Sequence, residues 1–122
     1  MRYAALLTNN ADAVASWERM TDEEAQAARA EEVPKWNALF GDLGQSGKLV
    51  SGVELDAPST AKTVRVRDGE TTVTDGPYAE SKELIGGLMV LDCDDLDEAI
   101  AIAARIPIAE SGSVELRPLI EH

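Results

Sequence analysis

The sequence predicts an α+β domain of the ferredoxin-like, split βαβ type with an inserted β-hairpin. Two segments carry helix-capping signals, at Thr21 and Asp95, and each lies between stretches with strand character. Between them, Asp68-Gly69-Glu70 separates two alternating segments, and its D-G turn is a strong short-range signal for a hairpin. The resulting order is strand, helix, strand, hairpin, strand, helix, strand, which is the split βαβ order.

The first half of the chain supplies a strand and a long helix. Residues 3–7 suit a strand that ends at Asn9-Asn10, and residues 11–20 fit a short helix or a loop. Thr21 to Glu24 has the capping-box form, so a long helix should begin there. Its apolar stripe consists of Ala25, Ala28, Trp36, Leu39, Phe40 and Leu43. Pro34 lies inside this helix and predicts a kink or a break near Val33.

The second half supplies the remaining strands and the second helix. Residues 49–55 alternate as a strand, and residues 63–67 and 71–74 form the hairpin with its valines on one side. Residues 84–91 form the most apolar strand. Residues 96–105 have helical spacing, and residues 113–119 form the last strand.

Length and charge restrict the class of protein. The 122 residues suit a single domain, 1–122, and the 44% hydrophobic and 28% charged shares are those of a globular protein. A formal charge of −12 repels phosphate backbones and anionic lipid surfaces, so we expect neither nucleic acid nor a membrane as a partner. A small anionic ligand is still allowed, because a local cation can dominate at short range.

Cysteine usage and the amino-terminal residues indicate a cytoplasmic protein. Cys93 is the only cysteine, so an intrachain disulfide and a multi-thiolate zinc site are excluded. The apolar run at residues 3–7 is too short for a secretory leader or a membrane span.

The most apolar strand predicts a homodimer. Leu88, Met89, Val90 and Leu91 are apolar at both strand parities, so both faces of this strand need cover. Helices supply cover on one face only. We therefore expect a second copy of the chain on the other face.

Several segments carry a family resemblance. The run V-T-D-G-P-Y-A-E-S-K-E at residues 73–83, Gly86-Gly87, and residues 92–99, 58–65 and 106–118 resemble the DGPF branch of the YCII-related (YciI-like) proteins. The resemblance implies a dimeric α+β barrel with Asp75 at a cleft in each subunit. It also implies a small bacterial protein, often encoded near extracytoplasmic-function sigma factors, so association with a sigma factor is a further expectation.

Asp75 is the candidate catalytic residue. A partly buried carboxylate there could act as an acid or base, or stay ionised and orient a ligand. The alternative is an Asp-Gly-Pro turn in which Asp75 accepts hydrogen bonds from the following backbone amides.

Four further residues are candidates for ligand binding, and each has a structural alternative. Tyr78, which stands where the family's name has Phe, could donate a hydrogen bond or simply pack its ring. Lys82 could hold a polar group or belong to a solvated charged face. Ser59 could bind through its hydroxyl or cap a turn, and Arg65 could pair with an anion or keep the hairpin soluble.

The resemblance departs from the enzymes of the family at one point. Members read as enzymes carry a His and Asp pair in the cleft, whereas the only histidine here is His122 at the chain end. This weakens any claim of hydrolase, isomerase or dehalogenase activity, so whether the protein is an enzyme stays open.

Neither a metal nor a cofactor is expected. The acids at residues 92–97 lack the glycine and glutamate spacing of a calcium loop, and no glycine-rich segment opens a helix as a phosphate loop does. The prediction is a dimer that binds a small organic molecule at Asp75. The alternatives are a non-catalytic regulatory or interaction module and an accessory dimer without a ligand.

Overall fold

The computed structural model describes residues 1–77 and 83–122. In this part of the chain, 3₁₀ helices at Pro58–Thr60 and Pro107–Glu110 accompany the main elements. The strands and helices in chain order are β1 Arg2–Asn10, α1 Ala11–Glu18, α2 Asp22–Ser46, β2 Leu49–Glu54, β3 Lys62–Arg67, β4 Glu70–Asp75, β5 Glu83–Asp92, α3 Leu96–Arg105 and β6 Ser113–Pro118.

The strands form one four-stranded sheet and one hairpin. The sheet has the order β2-β5-β1-β6 with antiparallel neighbours throughout, and β3 and β4 form a separate two-stranded ladder. The predicted ferredoxin-like α+β fold with an inserted hairpin is confirmed.

The core lies between one face of the sheet and the helices α2 and α3. Alternate residues of β1 and β5 point to this face, because strand side chains alternate between the two faces. The core side chains are Tyr3, Ala5, Met89 and Leu91 from the sheet, Leu39 and Leu43 from α2, and Ala99 and Ile102 from α3. Full burial of each leucine contributes about 1.5–3 kcal/mol.

Each of the three α-helices in the described part of the chain begins at a side-chain cap. Asn10 accepts a hydrogen bond from the Ala13 amide at 2.7 Å, so the ambiguous residues 11–20 resolve into the short helix α1. The predicted caps are confirmed as well: the Thr21 hydroxyl accepts from the Glu24 amide at 3.1 Å, and Asp95 accepts from the Glu98 amide at 2.8 Å.

Of the predicted kink or break near Val33, the break is wrong. Helix α2 is 25 residues long and continues without interruption through Pro34. Ala30 and Pro34 are both exposed, so water can bond the carbonyl that Pro34 leaves without a donor. The buried Leu39 and Leu43 hold the second half of the helix against the sheet.

The other face of the sheet carries a second set of apolar side chains. The pairs Ala4 with Val90 and Leu6 with Leu88 alternate with core residues, and Val53 pairs with Leu88. We call this surface, consisting of Ala4, Leu6, Val53, Leu88 and Val90, the open sheet face. Val53 is 58% exposed, and the other four side chains are half-buried.

Candidate functional site

The β3–β4 hairpin positions the candidate residue Asp75. Its turn residues Asp68 and Gly69 both have positive φ, 52° and 78°, as a tight primed turn requires. The register pairs residues symmetrically about this turn, so that Val64 faces Val73 and Lys62 faces Asp75. Asp75 is therefore the last residue of β4, at the end of the hairpin farthest from the turn.

Lys62 and Asp75 form an ion pair. Lys62 Nζ donates a hydrogen bond to Asp75 Oδ1. The side chain of Asp75 is 87% exposed and that of Lys62 is 60% exposed, so within the single chain this carboxylate is hydrated. An exposed ion pair contributes only about 0–1 kcal/mol to stability. Fold stability alone gives little reason for these two residues to face each other.

The backbone after Asp75 is anchored to the start of β3. The Gly76 amide donates to the Ala61 carbonyl at 2.8 Å, and the Thr63 hydroxyl donates to the Gly76 carbonyl at 2.8 Å. Gly76 has a φ of 89°, a conformation that residues with a Cβ rarely adopt. The backbone that carries Asp75 is thus fixed beside the start of β3.

One face of the hairpin is apolar and exposed. Val64, Val66 and Val73 share a face with Lys62 and Asp75, because they lie two or four residues from them along the strands. The three valines are between 57% and 61% exposed. We call this surface, Lys62, Val64, Val66, Val73 and Asp75, the valine face.

Two side chains on the polar face of the hairpin are less exposed than the valines. Thr63 and Arg65 are half-buried, whereas the other polar-face residues and the three valines on the opposite face are exposed. Three exposed valines on one small face are typical of a surface that binds something.

The other predicted site residues do not all converge on Asp75. Arg65 lies on the hairpin face opposite to the Asp75 side chain. Ser59 is exposed in the Pro58–Thr60 turn, three residues before Lys62, and the neighbouring Thr60 hydroxyl caps that turn by donating to the Ala57 carbonyl at 2.6 Å. Tyr78 and Lys82 lie outside the described residues.

Sequence reasoning missed Lys62. The signal was available: counting outward from the Asp68-Gly69 turn, a two-residue loop places residue 67 opposite 70 and residue 62 opposite 75. The predicted strands began at residue 63 and ended at residue 74, one residue short of this pair at each end.

A second polar cluster lies between α2 and α3. Lys48 Nζ contacts Glu98 at 2.9 Å and Asp94 at 3.3 Å, and Arg105 contacts Asp42 at 2.7 Å. The hydrogen bond from Lys48 lowers the pKa of Glu98, and the same bond raises the pKa of Lys48. All of these residues except Asp94 line a shallow groove of about 230 Å³, and both of its cations are paired with acids. The cluster therefore serves to join α3 to the end of α2.

Cys93 does not present a reactive thiolate. It is buried in the core, and burial, followed by the nearby charge of Glu98, raises the pKa of its thiol. A neutral, buried thiol is a weak nucleophile.

Two features are absent from the described residues. In residues 1–77 and 83–122, no group of three His, Cys, Asp or Glu side chains is placed to hold a metal ion. None of the helices in this part of the chain is both long enough and apolar enough to cross a membrane.

The sequence of this chain is similar to a known protein family and to a known bacterial protein. The family model of the YCII-related domain matches residues 1–122. An uncharacterized protein of Rhizobium meliloti (strain 1021) is 35% identical over 121 residues, which are 98% of this chain and 92% of the relative.

A solved structure shares the fold. It is 5-chloro-2-hydroxyhydroquinone dehydrochlorinase (TftG) from Burkholderia phenoliruptrix AC1100, in complex with 2,5-dihydroxybenzoquinone. The TM-score is 0.53 at 10% identity, and the match covers 100% of this chain and 96% of that one. At this identity the likeness concerns the fold alone.

Proposed function

The chain belongs to the YCII-related domain family, and on that premise we propose that it is a homodimer that binds a small organic molecule in a cleft at Asp75. The observation that carries the proposal is the Lys62–Asp75 ion pair at the end of an exposed apolar strip. Polar groups bordering an apolar wall are the usual composition of a small-molecule site.

The open sheet face supports the dimer. Leu6, Leu88 and Val90 lie on the two central strands, and Val53 extends the apolar surface to β2. Burying apolar surface contributes about 25 cal/mol per Å². A second copy related by a twofold axis would cover this face with the same residues. The dimer would also supply the enclosure that the exposed Asp75 lacks in a single chain.

The structural neighbour supports a small organic ligand. That enzyme was solved with 2,5-dihydroxybenzoquinone, so this fold can accommodate a flat molecule with several oxygens. For the present chain, the valines would contact the carbon part of such a molecule, and the ion pair would contact its oxygens.

Asp75 could add weak acid–base chemistry. A carboxylate held beside a ligand hydroxyl can accept its proton, and enclosure of the site would strengthen that interaction. Because His122 is exposed at the end of the chain, Asp75 is the residue to which we assign this role.

A ligand screen by thermal shift tests the proposal. The library includes 2,5-dihydroxybenzoquinone, and the proteins are the wild type, Asp75→Asn and Glu70→Gln. Glu70 is the matched control, because it lies on the same strand but points to the other hairpin face. A ligand at a hundred times its Kd stabilises by about 2.7 kcal/mol.

The proposal expects hits that shift the wild type and Glu70→Gln but not Asp75→Asn. Equal shifts in all three proteins would remove Asp75 from the site. The absence of any hit would favour an accessory dimer without a ligand.

A second candidate function, a non-catalytic regulatory or interaction module, is favoured by α3. Leu96 and Ile100 lie one turn apart on its outer surface and are about half exposed, away from the open sheet face. An extracytoplasmic-function sigma factor is the partner that we would test first. Binding to the wild type and loss of binding in Ile100→Glu would support this function, whereas equal binding would remove α3 from the contact.

A further inference from the structure

The Lys62–Asp75 pair has hydrogen-bonding capacity beyond its mutual contact. The contact uses one of the three N–H donors of the lysine ammonium and one of the two carboxylate oxygens of Asp75. Both side chains are more than half exposed, so the remaining donors and Oδ2 can reach a molecule on the valine face. The pair thus offers donors and an acceptor side by side.

This combination discriminates among ligand charges. A cation would approach Asp75 but meet the ammonium of Lys62. A simple anion would bind Lys62 but meet the carboxylate of Asp75. A molecule with an anionic oxygen next to a hydroxyl satisfies both residues, because the anionic oxygen accepts from Lys62 while the hydroxyl donates to Asp75 Oδ2.

Because the chain as a whole is negatively charged, binding of an anion on the valine face depends on Lys62. The chain carries a formal charge of −12, which repels anions at long range. Among the described residues of the hairpin, Lys62 is the one cation on the valine face, since strand alternation places Arg65 and Arg67 on the other face. Arg67 donates to the Val66 carbonyl at 2.9 Å.

The three valines favour a ligand whose remaining part is apolar. Val64 and Val73 form a cross-strand pair directly next to the Lys62–Asp75 pair, and Val66 extends the strip toward the turn. An apolar or aromatic body lying along this strip would have its polar end at the ion pair.

We propose that the ligand is a small apolar molecule with an anionic oxygen adjacent to a hydroxyl, and that Lys62 is the residue that binds the anionic oxygen. The proposal rests on the proposed function of Asp75 and names the substrate class of that same site.

Salicylate and two analogues test the proposal. Salicylate has an adjacent carboxylate and hydroxyl, benzoate lacks the hydroxyl, and salicylamide lacks the carboxylate charge. Calorimetric titration of the full-length wild type should give at least about tenfold tighter binding of salicylate than of either analogue, as expected for one charge-assisted hydrogen bond.

Three single variants and one double variant locate the effect. Lys62→Met and Asp75→Asn should each weaken salicylate binding about tenfold. Arg67→Met, a cation lost from the other face of the same hairpin, should leave it unchanged. If the two residues act together, the double variant should lose less than the product of the single losses. The exposed positions of both residues favour normal folding, and unfolding temperatures of the variants verify it.

The outcomes separate this proposal from the proposed function. Salicylate binding that weakens in Asp75→Asn but not in Lys62→Met overturns the role of Lys62 and leaves the site at Asp75 standing. Equal affinity for all three molecules, or no binding of salicylate, overturns the ligand class, while the library screen independently decides whether Asp75 binds any ligand.

Discussion

Lys62 and Asp75 face each other across the β3–β4 ladder, and the ammonium of Lys62 donates a hydrogen bond to the Asp75 carboxylate. They are the pair farthest from the turn, and the backbone of the next residue, Gly76, is anchored to Ala61 through its amide and to Thr63 through its carbonyl. A pair of exposed charges beside exposed valines is better suited to meeting a ligand than to stabilising the chain.

Gly112→Ala should destabilise the fold. A Cβ at Gly112 would lie 2.2 Å from the Thr8 carbonyl oxygen, so the start of β6 would have to move away from β1. The hydroxyl contact of 2.6 Å between Thr8 and Ser113 would be disturbed as well. We expect a loss of about 2 kcal/mol in the free energy of unfolding, measured by urea denaturation.

Gly41→Ala is the matched control for that substitution. Gly41 lies in α2, and a Cβ there would have no neighbour within 4 Å. Alanine should therefore stabilise the helix by about 0.5–1 kcal/mol. Equal effects of the two substitutions would contradict the close packing of β6 against β1.

Glu98 should contribute to the acid stability of the fold. The Lys48 hydrogen bond lowers the pKa of Glu98 below its ordinary value of 4.5 in the folded state. Its contribution is therefore fully present above that value and is lost as the pH falls through the lowered folded pKa. Between about pH 6 and about pH 3, the unfolding temperature of Glu98→Gln should fall less than that of the wild type.

The contribution of Lys48 to stability is lost at high pH, whereas that of Glu98 is lost at low pH. Its pKa is raised above 10.5 by the same bond, so its contribution is present below that value and is lost as the pH rises through the raised pKa.

Glu70→Gln is the control for Glu98→Gln, because it removes a carboxylate elsewhere on the surface. Parallel pH profiles of the wild type and Glu98→Gln would show that the ion pair does not affect stability.

Cys93 should be protected from alkylation in the folded protein. It is buried, and burial raises the pKa of its thiol, so both access and thiolate content are low. We expect iodoacetamide to react on the order of a hundredfold more slowly with the native than with the urea-unfolded protein. Mass spectrometry measures both rates, and similar rates would be inconsistent with a buried Cys93.

Much of the fold follows from local sequence signals. The turn at Asp68-Gly69 and the caps at Thr21 and Asp95 each depend on one or two residues, and all three appear in the structure. The uninterrupted helix at Pro34 was not predictable in this way, since it depends on packing of the second half of α2 against the sheet. Tertiary contacts outweigh a single unfavourable residue there.

The candidate site was predictable only in part. The Asp-Gly-Pro motif predicted Asp75 as a site residue. Its partner Lys62 lies 13 positions earlier and can be predicted only by counting the hairpin register from the turn. The outward direction of the valines depends on how the hairpin is placed relative to the rest of the chain, which strand alternation alone does not specify.

Sedimentation velocity of the full chain tests the proposed twofold assembly most directly, and the proposed enclosure of Asp75 depends on that assembly. The wild type should sediment as a species of twice the 13.1 kDa chain mass. Val53→Lys should sediment as a single chain, because a dimer would bury an ammonium in the open sheet face. The substitution also reduces the net charge of −12, so charge repulsion between two copies would not explain dissociation. Ile100→Lys, an equivalent change on the outer surface of α3, should remain a dimer. A wild type of single-chain mass, or a Val53→Lys variant that stays dimeric, would contradict an interface formed by the open sheet face.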